Sequence, residues 1–307
     1  MLKNKNKQII AADLALFLVA LLWGGGFVAV KDAIGSITPF YMIAMRFGVA
    51  GLLISIFCWR RFKNVKKQDI KMGIFVGLFL FLGSAVQTIG AQYTTAGKQA
   101  FLTGVNVVIV PFFEWILYKD KLDIYSVLAS ILCLVGIGFL TLKGSTSINI
   151  GDFLTLICAV LFAAHITLLG HHAKKVDTIV LSVIQMLTTS VLSLICALIF
   201  EPIPKAFPSD IYGSVLYMIF FSTMLAFSIQ TIAQRYTPAS HASIILCLES
   251  VFGSIFAVIF LGDVFTPSMI LGCLLILVGI ITAETKLKFL GQCRDVGKYL
   301  RQKFVDI

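Results

Sequence analysis

Long apolar runs recur from one end of the chain to the other, separated only by short polar links. Each run is close to the ~20 residues an α-helix needs to cross the ~30 Å hydrocarbon core of a bilayer. Ten spans are predicted, at residues 12–32, 39–58, 71–92, 97–118, 124–142, 151–171, 178–200, 211–234, 239–261 and 266–284. Inside hydrocarbon only elements that satisfy their own backbone hydrogen bonds persist, so a series of this kind reads as an all-α integral membrane protein. Composition excludes the soluble alternative: the 307 residues are 59% hydrophobic and 13% charged, with a mean hydropathy of +0.97, against roughly 45–50% and about 25% in a soluble domain. Proline marks the links, with Thr38-Pro39 opening span 2, Thr237-Pro238 preceding span 9, Thr266-Pro267 opening span 10, and Pro202, Pro204 and Pro208 following span 7. The first run, behind Lys3, Lys5 and Lys7, is expected to be a span and not a cleaved signal: it continues to Val30 and no small-residue cleavage site follows.

Charge orients the bundle. With the amino terminus in the cytoplasm, twenty of the 25 Lys and Arg fall on the inner side, among them Arg60, Arg61, Lys63, Lys66, Lys67, Lys119, Lys121, Lys174, Lys175 and Arg235. The outer side holds Lys31, Lys98, Lys143 and Lys205, and Arg46 lies within span 2. That bias predicts a multi-pass protein of the plasma membrane with both termini cytoplasmic and an even number of spans. The net charge of +10 is therefore a matter of topology, and no nucleic-acid partner is needed to explain it. Seven cysteines, with no C-x-x-C pair, read as small packing residues.

An internal repeat turns this hydropathy pattern toward mechanism. Tyr93, Thr94, Ala96, Asp120, Leu128, Leu132, Leu134, Val135, Gly136 and Ile137 match Tyr236, Thr237, Ala239, Asp263, Leu271, Leu275, Leu277, Val278, Gly279 and Ile280 at a constant shift of 143. Nearer the start a shift of 139 carries Asp13 onto Asp152, Ala20 onto Ala159, Trp23 onto Phe162 and Arg46 onto Gln185. The expected units are 1–145 and 146–287, followed by a cytoplasmic tail at 288–307. Five spans per unit is an odd number, so the second unit enters the membrane from the opposite face. Inverted repeats of this type provide two states of similar energy around a site near the midplane.

The residues resemble a known family. Leu21-Leu22-Trp23-Gly24-Gly25-Gly26-Phe27 ending in Lys31, the Pro39 to Arg46-Phe47 spacing, Tyr93-Thr94-Thr95-Ala96-Gly97, and Tyr236-Thr237-Pro238-Ala239 to Leu248-Glu249-Ser250-Val251 are similar to the drug/metabolite transporter superfamily, in particular its EamA-type ten-helix carriers. The resemblance covers about residues 10–285. It implies two EamA units, cytoplasmic termini, a central cavity lined mainly by spans 1, 3, 4, 6, 8 and 9, and export or exchange of small metabolites, amino acids or drugs. Asp120 and Asp263 stand where the family often has Glu, Ser250 stands where it often has Pro, and Glu114 adds a charge late in span 4.

Polar groups within the spans are the pointers to a site, because a charge at the centre of a membrane helix costs ~2.5–3.5 kcal/mol on insertion scales. Glu249, about ten residues into span 9, aligns with Asn106 of span 4, so each half sends one polar group toward the pseudo-two-fold axis. A carboxylate there binds a proton or a cationic solute in alternation, or else joins helices as a paired group. His165, midway along span 6, suits solute hydrogen bonding, proton relay or an interhelical contact. Gln87, Thr88 and Gln92 in span 3 recur as Gln230, Thr231 and Gln234 in span 8, and serve a solute or the helix interface. Trp23 supplies an aromatic wall beside three glycines that either flex or pack closely. The solute-binding candidates are Trp23, Gln87, Asn106, His165, Gln230 and Glu249. Arg46 is expected to be structural, since span 2 is placed outside the cavity by the resemblance. Glu114 suits an interface or a gate, Pro111 is expected to kink span 4 where Ser254 stands in the other half, and His171 and His172 are expected in a solvated link.

The expected function is thus a secondary transporter of a small-molecule solute by alternating access, an exporter or exchanger and not an enzyme. No nucleotide-binding motif, cofactor motif or metal-ligand set appears, so the driving force is the solute gradient, a counter-solute or protons. A non-transporting membrane partner or scaffold stays open as an alternative. A lipid-modifying enzyme fits less well, because no Asp-rich pair or phosphate-binding loop is present.

Overall fold

The computed structural model describes residues 2–94, 96–141, 149–204, 209–261 and 266–285. Asp263, Lys143 and the tail at 288–307 lie outside the described residues. Among the described residues thirteen α-helices follow one another: α1 (Leu2–Ala33), α2 (Pro39–Phe57), α3 (Lys67–Gly90), α4 (Ala96–Gly104), α5 (Asn106–Tyr118), α6 (Ile124–Thr141), α7 (Ile150–His172), α8 (Thr178–Phe200), α9 (Tyr212–Tyr217), α10 (Ala226–Ala233), α11 (Ala239–Leu246), α12 (Leu248–Leu261) and α13 (Pro267–Thr285). Among the described residues, seven helical stretches are long and apolar enough to cross a membrane. Three shorter apolar ones, Leu102–Tyr118, Ile124–Phe139 and Pro267–Ala283, occupy the places of expected spans 4, 5 and 10.

The helices start where the sequence provides caps. Asn149 Oδ1 accepts from Asp152 N at 2.9 Å and Asp152 Oδ2 accepts from Asn149 N at 3.1 Å, a reciprocal box at the head of α7. Asp177 Oδ1 accepts from Ile179 N and Val180 N to start α8. Pro39 and Pro267 occupy the first position of α2 and α13, where their missing N–H is not needed.

Polarity runs inside-out relative to a soluble protein. Leu198, Ile199 and Phe200 at the end of α8 are 61–73% exposed, whereas Gln185, Gln230, Thr231 and Gln234 are fully buried. A lipid-facing surface accounts for both, since hydrocarbon is as good a neighbour as any for leucine and a poor one for an amide. Helices equated by the sequence repeat pack on each other: α2 lies against α8 and α6 against α13. The second contact depends on Gly136 and Gly279. A Cβ on Gly136 would stand 2.7 Å from the Gly272 carbonyl oxygen, and one on Gly279 would stand 2.9 Å from the Ala129 carbonyl oxygen.

Three expected spans depart from single straight helices. Span 4 breaks between α4 and α5 at Val105 (φ −56°, ψ −23°) and span 9 between α11 and α12 at Cys247 (φ −56°, ψ −21°). Both residues have 3₁₀ geometry, and the hydrogen bonds Val108 N to Val105 O and Ser250 N to Cys247 O close the tighter turn. The two breaks fall within one residue of the 143-residue shift. Pro111 lies inside α5, six residues past the first break, and the other half breaks at the equivalent place without a proline. Span 8 contains a π-helical stretch, Met218–Leu225, between α9 and α10. Its extra residue per turn re-aims Ser222 and Thr223, which the site uses.

Candidate solute site

The six candidate residues converge on one cavity. Trp23 reaches it from α1, Gln87 from α3, Asn106 from the first turn of α5, His165 from α7, Gln230 from α10 and Glu249 from the first turn of α12. Its volume is about 90 Å³. A water needs ~10–15 Å³ by the same measure, so this conformation admits several waters or a very small solute.

Tertiary contacts tie the walls to one another. Trp23 Nε1 donates to the Ser222 carbonyl in the π-helical stretch at 3.0 Å, and the indole lies 5.0 Å from the Phe227 ring. The glycines after Trp23 are helical within α1, and a Cβ on Gly24 would stand 2.5 Å from Phe252 Cβ and 2.8 Å from Gly253 N. Gly24 thus permits close approach of α12, while a Cβ on Gly25 or Gly26 would meet the Tyr217 or Ser222 side chain.

His165 belongs to a buried chain. The Thr231 hydroxyl donates to Phe227 O, so it accepts from Gln185 Nε2 at 2.9 Å, which turns Gln185 Oε1 toward His165 Nε2, 2.9 Å away. Gln234 Nε2 donates to Ile166 O, joining α10 to α7. On the other wall Gln99 Nε2 donates to Gln87 O, while Gln87 Nε2 lies 3.4 Å from Thr103 Oγ1. Gln230 differs from all of these: it lines the cavity, and among the described residues neither Oε1 nor Nε2 has a partner.

Arg46 was expected outside this cavity, and its side chain lines it. Nε donates to Thr223 Oγ1 at 2.9 Å, with the guanidinium carbon 4.9 Å over the Phe47 ring. α2 packs against α8 and the π-helical stretch, and the long stem of arginine carries its head group several ångströms inward. Ser222 and Thr223 were also missed, although a lone polar pair inside Ile219-Phe220-Phe221-Ser222-Thr223-Met224-Leu225 was a readable signal.

Glu114 takes a different position from the other in-span charges. From α5 it accepts from Ala239 N and Ser240 N, both at 3.0 Å, and from Ser240 Oγ, so it caps α11. A second cavity of about 460 Å³ lies there, lined by Glu114, Asp120, Lys121, Asp123, Lys174 and His241 among others. Between the two cavities stands an apolar plug. Along α5, Asn106 faces the first cavity and Glu114 the second, with Val110 buried between; along α11 and α12, Ala242, Ile245 and Leu246 separate His241 from Glu249. His171 and His172 form the last turn of α7 instead of a link, and His171 stacks on Tyr118 at 3.7 Å.

Apolar helices with lipid-facing exteriors, gathered around an internal polar cavity, define a multi-pass membrane protein. The chain belongs to the EamA-like transporter family, whose model matches it twice, over residues 10–142 and 149–284. Relatives carry the same stamp. An uncharacterized transporter of Archaeoglobus fulgidus is 36% identical over 275 residues, spanning 90% of this chain and 86% of the relative. The Bacillus subtilis uncharacterized transporter YoaV is 26% identical over 89% of this chain and 96% of its own length. An S-adenosylmethionine/S-adenosylhomocysteine transporter of Chlamydia muridarum is 21% identical over 90% and 95%. One crystal structure of a protein shares the fold, with a TM-score of 0.77 at 19% identity over 91% of this chain and 98% of that one. The protein is therefore a membrane transporter of the drug/metabolite transporter superfamily.

Proposed function

We propose that this protein is a secondary transporter that moves a small organic solute across the plasma membrane by alternating access, as an exporter or exchanger. Ten spans form two inverted five-helix units, 1–145 and 146–287, with both termini and the tail at 288–307 in the cytoplasm. Trp23, Gln87, Asn106, His165, Gln230 and Glu249 form the solute site. The observation that carries this reading is a polar cavity built from both halves of the chain, separated by an apolar plug from a second polar cavity. A pocket sealed on one side by packed side chains is what one of two alternating states requires. The twofold match of the family model and the packing of repeat-equated helices support the duplicated arrangement. The name of the chlamydial relatives supports a small organic solute.

Glu249 is the coupling residue in this reading, exchanging a proton or a cationic group of the solute as the cavity changes sides. The test is flux of a solute panel in reconstituted vesicles, with and without a pH gradient, for the native chain and Glu249→Gln. Solute movement that the substitution abolishes or uncouples from pH is expected. Unchanged flux and pH dependence would remove Glu249 from the mechanism, and no movement of any solute would overturn the transport reading.

A further inference from the structure

The stretch from the end of α2 into α3 carries six cations in twelve residues, Arg60, Arg61, Lys63, Lys66, Lys67 and Lys71, all of them exposed. Orienting the bundle requires cations on this side of the membrane, but not that they gather in one place. Residues Trp59–Asn64 form a short 3₁₀ helix, fixed to the bundle by Phe62, which packs against a core shared by α2, α3 and α8. Arg61 Nη1 donates to Asp177 Oδ2 at 2.6 Å and ties the same turn to the head of α8. Trp59 stays exposed, with Lys63 Nζ 4.7 Å and the Arg60 guanidinium carbon 5.9 Å from its ring. Ile56 and Phe57, also exposed, lie just ahead of it at the end of α2. The acids nearest in the two links are committed to helix heads. Asp69 Oδ2 accepts from Lys66 N at 2.9 Å, and Asp177 accepts from Ile179 N and Val180 N as well as from Arg61. Among the described residues no carboxylate forms an ion pair with Arg60, Lys63, Lys66, Lys67 or Lys71.

We propose that this link is a binding surface for anionic phospholipid headgroups of the leaflet it faces, the cytoplasmic one in the topology above, with phosphates held by Arg60, Lys63 and Lys66 beside Trp59. The proposal goes beyond transport, since it concerns the lipid around the carrier and not the solute within it. Ammonium and guanidinium groups donate to the non-bridging phosphate oxygens, and the planar guanidinium fork meets two of them at once. An indole at the end of a span sits at headgroup depth, and the cations stacked on its ring are held at that depth with it. A cluster of four to eight cations immediately beside a span is what anionic lipid recognition requires, and the five without a carboxylate partner meet that number. Phosphatidylcholine presents its own ammonium group to the same surface and loses the attraction. A dissolved phosphate ester meets the cations but brings no acyl chain to lie along Ile56, Phe57 and Trp59, so it is held more weakly.

The purified full-length protein, in a neutral detergent, is titrated with phosphatidylglycerol, phosphatidylcholine or glycerol phosphate, and its unfolding temperature is read. Phosphatidylglycerol is expected to stabilise it at concentrations roughly tenfold or more below phosphatidylcholine, with glycerol phosphate silent over the same range. Arg60→Gln/Lys63→Gln/Lys66→Gln is expected to lose most of that preference, and Arg60→Lys/Lys63→Arg/Lys66→Arg to keep it. Equal stabilisation by the two lipids overturns the proposal, as does a preference that survives the glutamine triple. Glycerol phosphate acting at the same concentrations as phosphatidylglycerol would make this a site for dissolved anions and overturn the lipid reading. If the glutamine triple fails to fold, Lys63→Gln alone decides: a loss of roughly threefold or more supports the proposal, and an unchanged preference overturns it. The readout involves no solute flux, so the transport reading stands or falls separately.

Discussion

Thr237 donates a hydrogen bond from Oγ1 to Asp13 Oδ1 at 2.9 Å, joining residues 224 positions apart. The repeat carries Asp13 onto Asp152 and Thr237 onto Thr94, and Thr94 Oγ1 donates to Asp152 Oδ1 in turn. The same bridge therefore occurs twice, each time between one half's first long helix and the link before the other half's broken helix. His241 Nε2 adds a contact 3.6 Å from Asp13.

These bridges are expected to hold opposite ends of the bundle shut. Asp13→Ala should raise labelling of an Asn106→Cys reporter, in a background without other cysteines, by a membrane-impermeant maleimide applied from the side of the α1 amino terminus. Asp152→Ala should do so from the other side. A hydrogen bond to a charged group is worth ~1.5–3 kcal/mol, so changes of roughly tenfold are expected. Labelling that rises from the same face in both variants would sink the idea.

Two helices borrow their caps from neighbours. The N-cap of α11 is Pro238, which has no side chain able to accept, and Glu114 of α5 takes that role. At α2, Thr38 makes no cap of its own, and Glu201 accepts from Phe40 N at 2.9 Å and Tyr41 N at 3.0 Å. Glu114→Ala and Glu201→Ala should each lower stability by about 1–3 kcal/mol, read as earlier thermal unfolding in detergent. No loss at either position would show that solvent caps these helices equally well.

Helix separation at the cavity wall depends on the absence of a side chain. Gly24→Ala should drive Phe252 and the Gly253 backbone away from α1 and destabilise the fold by about 1–3 kcal/mol. Gly213→Ala is the control, since a Cβ there meets nothing within 4 Å, and should stay within about ±0.5 kcal/mol. Equal unfolding temperatures for the two variants would contradict the packing account.

Asp177, in the link before α8, provides a pH-dependent term. Burial pushes its carboxyl up, but Arg61 Nη1 at 2.6 Å and the Val180 and Ile179 N–H groups outweigh that and hold it below its ordinary value. A group lowered in the folded state stabilises above its unfolded value, and that contribution is lost as pH falls through the folded one. Asp177→Asn should therefore leave the slope of stability with pH unchanged between pH 7 and 5 and flatten it only below about pH 4. A difference between native and variant slopes above pH 5 would show that another group titrates there.

Much of this architecture is legible in the sequence because the bilayer imposes it locally. Apolar length, proline-marked links and the repeat shifts each depend on residues near one another in the chain or at one constant offset, and from them came the helical spans and the six cavity residues. Glu249 and Asn106 were recognisable because polarity in mid-span has few explanations.

Tertiary structure alone decided the rest. That Arg46 reaches the cavity depends on the distance from α2 to the π-helical stretch holding Thr223, and that Glu114 caps α11 depends on how two helices cross. The paired bridges need Asp13 beside Thr237 and Asp152 beside Thr94. No periodicity encodes such meetings, because partners 58 to 224 residues apart are brought together by the packing of whole helices and not by any preference of the local chain.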